Sequence, residues 1–169
     1  MTRVLVPAPL ERQAYAPYGD VICADDAPGV GEAANHNTAA KYPFLAALVN
    51  ARAHARANVS VFRSHPVAQF PHHVARLEKH ALSTQMFTPM NASRFLVVVA
   101  RGGEAPDLSS LRAFIVPGNA AITYHPGTWH HGLLALDAVT DFAGLVWEDG
   151  TESDCTELEI AEDIRIAAP

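Results

Sequence analysis

The sequence predicts an all-β protein with only minor helix, an antiparallel barrel of the jelly-roll type. From Asn58 onward, short runs rich in β-branched and aromatic residues recur between turn residues, at the spacing of strands in a barrel or sandwich. No composition shift or Gly/Ser linker divides the 169 residues, so residues 1–169 read as one domain, long enough to bury a sizeable core. No segment supports an amphipathic coiled coil. A closed antiparallel barrel removes exposed sheet edges and leaves a pocket at its mouth.

The elements follow in chain order. Residues 4–6 and 20–23 read as short strands. Between them, residues 11–18 are helix or loop, ended by Pro17 and Gly19. Residues 24–41, rich in Gly, Ala, Asn and Asp, read as a long loop of the kind that covers binding sites. A short helix or a strand pair fits residues 44–54. The sharper strands are residues 58–63, 85–88, 94–100, 113–116, 120–124, 133–136 and 139–147. Residues 106–111 form one helical turn capped by Asp107. Gly118-Asn119 makes a tight hairpin turn, because both residues tolerate positive φ.

Charge excludes one class of partner. Twelve basic residues against 18 acidic ones give a net charge of −6, and eight of the acids fall within residues 148–163. That leaves no basic stripe for nucleic acid. After Arg3, the residues Pro7, Pro9, Glu11 and Arg12 interrupt any run long enough for a signal peptide or a membrane span, so a cytoplasmic protein with no membrane partner is expected. Cys23 and Cys155 lack a CxxC partner and read as ordinary small residues, not as a disulfide framework or a thiolate zinc site.

Two polar clusters carry chemistry. Tyr124-His125-Pro126-Gly127-Thr128-Trp129-His130-His131 places three imidazoles in one turn, and imidazole both binds borderline metals and moves protons near neutral pH. Glu78-Lys79-His80, followed by Gln85, precedes an apolar run. A spacing of two along a strand points Glu78 and His80 to the same face. Arg63 ends an apolar strand, where a buried guanidinium would fork onto a substrate carboxylate or else pair with one of the many acids. Trp129 either contacts substrate or packs the barrel end. His36, His54 and His65 read as solvated or locally bonded, and His72-His73 as loop or rim.

The two clusters resemble the metal motifs of cupin barrels. Glu78-x-His80-x(4)-Gln85 falls in the register of His-x-His-x(3,4)-Glu, with Glu and Gln at two ligand places, and Gly127-x-x-His130 falls in that of Gly-x-x-His. The implied ligands are Glu78, His80, Gln85 and His130, with Gln85 the weakest because a neutral carbonyl replaces a carboxylate. Two imidazoles and a carboxylate suit a divalent ion such as Ni, Mn, Fe or Zn, Ni or Mn being the expected choice. No organic cofactor is expected.

More of the chain resembles the ureidoglycolate lyase family. The matching segments are Tyr18-Gly19-Asp20-Val21-Ile22, Leu77-Glu78-Lys79-His80 with Gln85-Met86-Phe87-Thr88-Pro89-Met90, Pro106-Asp107-Leu108 with Leu111-Arg112-Ala113-Phe114, the turn from Tyr124 to His131, and Thr140-Asp141-Phe142. The resemblance implies a homodimeric cupin that cleaves ureidoglycolate to glyoxylate and urea in allantoin degradation. It implies catalytic roles for Glu78, His80, His125, His130 and His131, with His125 or His131 moving the proton. Substrate contacts are implied for Asn35, Arg63, Gln85 and Trp129. Three departures stand out: Lys41 replaces an arginine, Trp147-Glu148-Asp149-Gly150 replaces Asp-Arg-x-Gly, and Gly132 replaces a proline. They leave open a second reading, a non-catalytic or differently specific cupin for a small 2-hydroxy carboxylic acid.

Overall fold

In the computed structural model, which describes residues 2–151 and 153–169, nearly every regular element is a strand. In chain order they are β1 (Arg3–Leu5), β2 (Ala8–Pro9), the single-turn helix α1 (Arg12–Tyr15), β3 (Val21–Ile22), β4 (Glu32–Ala34), β5 (Ala39–Lys41), β6 (Arg56–Ser64), β7 (His72–His73), β8 (Arg76–His80) and β9 (Gln85–Pro89). There follow β10 (Arg94–Ala100), a 3-10 turn (Leu108–Ser110), β11 (Arg112–Pro117), β12 (Ala121–Tyr124), β13 (Trp129–His130), β14 (Leu134–Ala135), β15 (Thr140–Glu148), β16 (Cys155–Glu159) and β17 (Ile164–Ile166).

Two large sheets face each other, so the expected barrel is a jelly-roll sandwich. One runs β16-β8-β13-β10-β11-β2, with β14 also on β10, and the other runs β3-β12-β9-β15-β6. Pairing is antiparallel except for β1 with β17 and β2 with β11. The central strand β10 explains the layering. Its Phe95, Val97 and Val99 point into the core between the large sheets, meeting Phe87, Ile122 and Phe142 from the opposite side. Its Leu96, Val98 and Ala100 point the other way, into a second core closed by Leu5, Ile164 and Ile166 of the small sheet β1-β17-β7. A strand buried on both faces is apolar throughout, which is why residues 95–100 carry no polar alternation. Each such Phe, Val or Leu contributes about 1.5–3 kcal/mol of burial, and Phe95 meets Phe142 edge-on across the sheets at 4.9 Å between ring centres.

Several expectations need correction. Residues 24–41 are not all loop, because β4 and β5 pair as a hairpin there. His36 and Asn37 at its tip take φ of 56° and 69°, the left-handed pair of a primed turn. Residues 44–54 form neither helix nor strand pair, and are instead tied to the β8–β9 connection by Thr84 N–H to the Val49 carbonyl and Ala51 N–H to the Leu82 carbonyl. The turn at Gly118-Asn119 exists, closed by Ala120 N–H on the Pro117 carbonyl at 3.1 Å. It is not a hairpin, however, since β11 and β12 lie in different sheets. Neither residue has positive φ. Gly118 is required by closeness, because a Cβ there would sit 1.9 Å from the Ala92 carbonyl oxygen. The helical turn is as expected, with Asp107 accepting from Ser109 N–H. His72-His73 is a strand, β7, and β16 and β17 lie in the acidic C-terminal segment that the strand pattern passed over.

Candidate active site

The site forms where the two large sheets meet. His130 on β13 lies directly across from Glu78 on β8, and Tyr124 on β12 directly across from Gln85 on β9. Gly127, at φ 82°, turns the chain between β12 and β13, and its N–H bonds the His80 carbonyl at 2.7 Å, which pins the histidine-rich turn to the end of β8. The connection from β8 to β9 crosses from one sheet to the other and returns Gln85 to His80, with 2.7 Å between the amide nitrogen and imidazole Nε2.

Glu78, His80 and His130 converge, and their ligand-type atoms all lie within 4.8 Å of one another. His130 Nδ1 lies 3.0 Å from the Thr128 carbonyl, which can only accept, so Nδ1 carries a proton. Its Nε2 is buried and makes no hydrogen bond, although Glu78 Oε1 is 3.3 Å away. Gln85 Oε1 is likewise buried without a partner. The contact with His130 pulls the Glu78 carboxyl below its ordinary range, against the opposing effect of burial. Burial, then the neighbouring His130, pushes the His80 imidazole down. Two inward imidazoles, one ionised carboxylate and buried polar atoms lacking partners are a donor set that fits a divalent cation.

A cavity of about 250 Å³ opens beside this triad, lined by Glu78, Gln85, Tyr124, His130, His131 and the apolar walls Phe62, Leu133 and Phe142. Tyr124 stacks on His130 with 4.0 Å between ring centres and 14° between planes. Its hydroxyl is buried with no hydrogen-bond partner among the described residues, and burial holds its proton far above the usual phenol range. His131 gives its Nδ1–H to the Gly132 carbonyl at 2.8 Å, which leaves Nε2 as a lone pair. Burial pushes the His131 pKa down. A second cavity, about 280 Å³, lies on the other side of Glu78, His80 and Gln85, bordered by Arg52 and Asp154.

Three residues implied by the sequence do not face this space, and a fourth, Arg63, lines only its mouth. His125 lines a separate surface pocket and sits 3.3 Å from Asp20. Asn35 is exposed at the tip of the β4–β5 hairpin. Arg63 is not buried: its side chain is 66% exposed at the cavity mouth and forks onto Asp141 at 2.7 and 2.8 Å. Trp129 is fully buried in the second core, with the Lys79 ammonium 4.7 Å above its ring. Strand periodicity explains two of the three, since His125 and Trp129 are the immediate neighbours of the inward-facing Tyr124 and His130. Counting by two from Ile122 finds Tyr124, which was missed as a site residue. Nothing in the sequence pattern marks Arg52 or Asp154.

The family model for ureidoglycolate lyase matches residues 2–167. The chain belongs to the ureidoglycolate lyase family. It is 36% identical over 164 residues to a ureidoglycolate lyase of Pseudomonas fluorescens (strain SBW25), covering 97% of this chain and 96% of that protein. It is 40% identical over 154 residues to a ureidoglycolate lyase of Escherichia coli O139:H28, covering 91% and 92%. Among solved structures, dTDP-6-deoxy-D-glucose-3,5-epimerase RmlC from Legionella pneumophila shares 20% identity at a TM-score of 0.41, over 63% of this chain and 55% of that one. Lys41 is exposed on β5. At residues 147–150, Arg52 brings a guanidinium, with Nη1 3.0 Å from Asp149 and Nη2 on the Trp147 carbonyl. No helix among the described residues is long and apolar enough to cross a membrane.

Proposed function

We propose that this protein cleaves ureidoglycolate to glyoxylate and urea, in the breakdown of allantoin and other purine products. The observation that carries the reading is the convergence of Glu78, His130, His131 and Tyr124 on one cavity, with His80 beside Glu78 and His130, in a member of this lyase family. The substrate is a carbinolamide, so its cleavage needs a proton taken from the hydroxyl and one given to the departing nitrogen. His131 suits both steps: it is neutral because burial lowers its pKa, and its Nε2 lone pair is not engaged by the backbone. As it takes the hydroxyl proton, the C–O bond becomes C=O, the C–N electron pair leaves with the nitrogen, and the same proton completes urea.

Tyr124 stays protonated and donates its hydroxyl to a substrate oxygen. Glu78 is ionised and orients the substrate hydroxyl, while Phe62, Leu133 and Phe142 keep bulk water away. Glu78, His80 and His130 would hold a divalent ion, nickel or manganese, with Gln85 beside them, and such an ion when bound supplies Lewis acidity toward the substrate's oxygens. Arg63 reaches the substrate carboxylate only by giving up Asp141.

A cytoplasmic homodimer completes the reading. The dimer is supported by β6, the outermost strand of its sheet, nine residues long, with Val59 and Val61 67% and 63% exposed. A second copy would cover such an edge.

A coupled glyoxylate assay on racemic ureidoglycolate, run before and after chelation and again with nickel or manganese restored, tests the function. Urea and glyoxylate in equal amounts are expected. Ammonia as a first product would mean hydrolysis, and thermal stabilisation by the substrate without turnover would mean a binding protein.

A further inference from the structure

Asp154 is a buried carboxylate that the cleavage chemistry does not use. It immediately precedes β16, whose Cys155 pairs with His80 on β8, so the strand ladder brings it beside that imidazole. Both of its oxygens are anchored. Oδ1 accepts from Leu82 N–H and Oδ2 from the Ser83 hydroxyl, each at 2.6 Å. Oδ2 also lies 3.6 Å from Nη2 of the well-buried Arg52 and 4.0 Å from His80 Nδ1.

The opposite side of the ring is constrained as well. Gln85 presents its amide nitrogen to His80 Nε2 at 2.7 Å, and an amide NH₂ only donates. His80 Nε2 is therefore a lone pair, and the ring proton sits on Nδ1, facing Asp154. At 4.0 Å this is not a hydrogen bond but a fixed charge acting on an N–H dipole in a poorly solvated site.

We propose that Asp154, charge-paired with Arg52, is a positioning residue that holds His80 as the Nδ1–H tautomer, so that Nε2, whose lone pair now accepts from the Gln85 amide, is the atom the ring offers to an ion beside Glu78 and His130. His130 is held by another route, its Nδ1–H resting on the Thr128 carbonyl. A carboxylate or carbonyl behind each imidazole is how ion-binding histidines are usually oriented. In this chain the cation behind Asp154 comes from residue 52, in the segment before β6, and not from residues 147–150.

The inference rests on Glu78, His80 and His130 forming the ion-holding set, but its first readout needs neither ion nor substrate. Imidazole-¹⁵N-labelled, ion-free protein is examined by long-range proton–nitrogen correlation in mildly alkaline buffer, with His80 assigned by His80→Gln. The wild type is expected to show the Nδ1–H pattern for His80. Asp154→Asn keeps an acceptor for Leu82 and a partner for Ser83 while removing the charge. It is expected to raise the Nε2–H population and to weaken Ni²⁺ binding, titrated calorimetrically, by roughly 10- to 100-fold.

An Nε2–H pattern in the wild type overturns the proposal even if the variant does not fold. A folded Asp154→Asn with unchanged tautomer and unchanged Ni²⁺ affinity, but a lower Tm, would make Asp154 a turn cap only. If the expected tautomers appear in a protein that fails to cleave ureidoglycolate, the proposal stands and the functional reading falls.

Discussion

Replacing Tyr124 with phenylalanine should make the protein more stable and less active. The ring stacks on His130 and packs in the main core, and both contacts survive the change. Only the hydroxyl is lost, and it is buried with no hydrogen-bond partner among the described residues. A buried, unsatisfied hydroxyl costs about 1–3 kcal/mol. Recovering the lower part of that range, about 1 kcal/mol, raises Tm by about 2–4 °C for a chain of this size. Activity moves the other way. A hydrogen bond from Tyr124 to an oxygen gaining charge is worth about 1.5–3 kcal/mol, so kcat/KM should fall by about 10- to 100-fold. Scanning calorimetry and the glyoxylate assay read the two effects separately. A fall in Tm of similar size would show that the hydroxyl serves the fold, and a kcat/KM within about twofold of wild type would show that it does not touch the substrate.

Other outcomes follow from the same geometry. Glu78→Gln and His130→Ala should each abolish calorimetrically measurable Ni²⁺ or Mn²⁺ binding, whereas His125→Ala, in its separate pocket beside Asp20, should leave both ion binding and turnover near wild type. Val61→Lys on the outer strand β6 should convert a dimer to a monomer by light scattering without a large change in Tm, and a persistent dimer would place the interface elsewhere. Arg63 holds the Asp141 carboxyl below its ordinary range, and Arg94 does the same for Asp137. Because the folded-state pKa is the lower one, this stabilisation is full above the unfolded value of about 3.9 and is lost as pH falls through the folded values. Tm measured down through this acid range should therefore drop less steeply in Arg63→Gln and Arg94→Gln than in the wild type, and identical profiles would mean that the pairs are screened out by solvent.

Strand content was legible wherever burial leaves a pattern. Residues 94–100, buried on both faces, and residues 139–147, alternating inward and outward, stand out in the sequence and form β10 and β15. Strands β16 and β17 did not stand out, because Glu157, Glu159, Glu162 and Asp163 crowd a segment whose buried residues are few. The triad was legible from the cupin resemblance together with spacing, since a step of two fixes Glu78 and His80 on one face and the Gly-x-x-His register of that resemblance singles out His130. The neighbours of inward residues were not separable by residue type. A histidine and a tryptophan look functional in sequence, yet the same period of two that turns Tyr124 and His130 inward turns His125 and Trp129 away. Asp154 meets His80 only through the pairing of β16 with β8, and Arg52 reaches Asp154 through the tie of residues 49–51 to the β8–β9 connection, long-range contacts that no local pattern announces.

The most direct measurement is a crystal structure of the Ni²⁺-loaded protein with anomalous scattering recorded at the nickel edge. One strong peak is expected among Glu78 Oε, His80 Nε2 and His130 Nε2, facing the cavity walled by Tyr124 and His131. A fully occupied nickel peak at another group of side chains, with these three left in their present contacts, would contradict the assignment of this junction as the reaction centre.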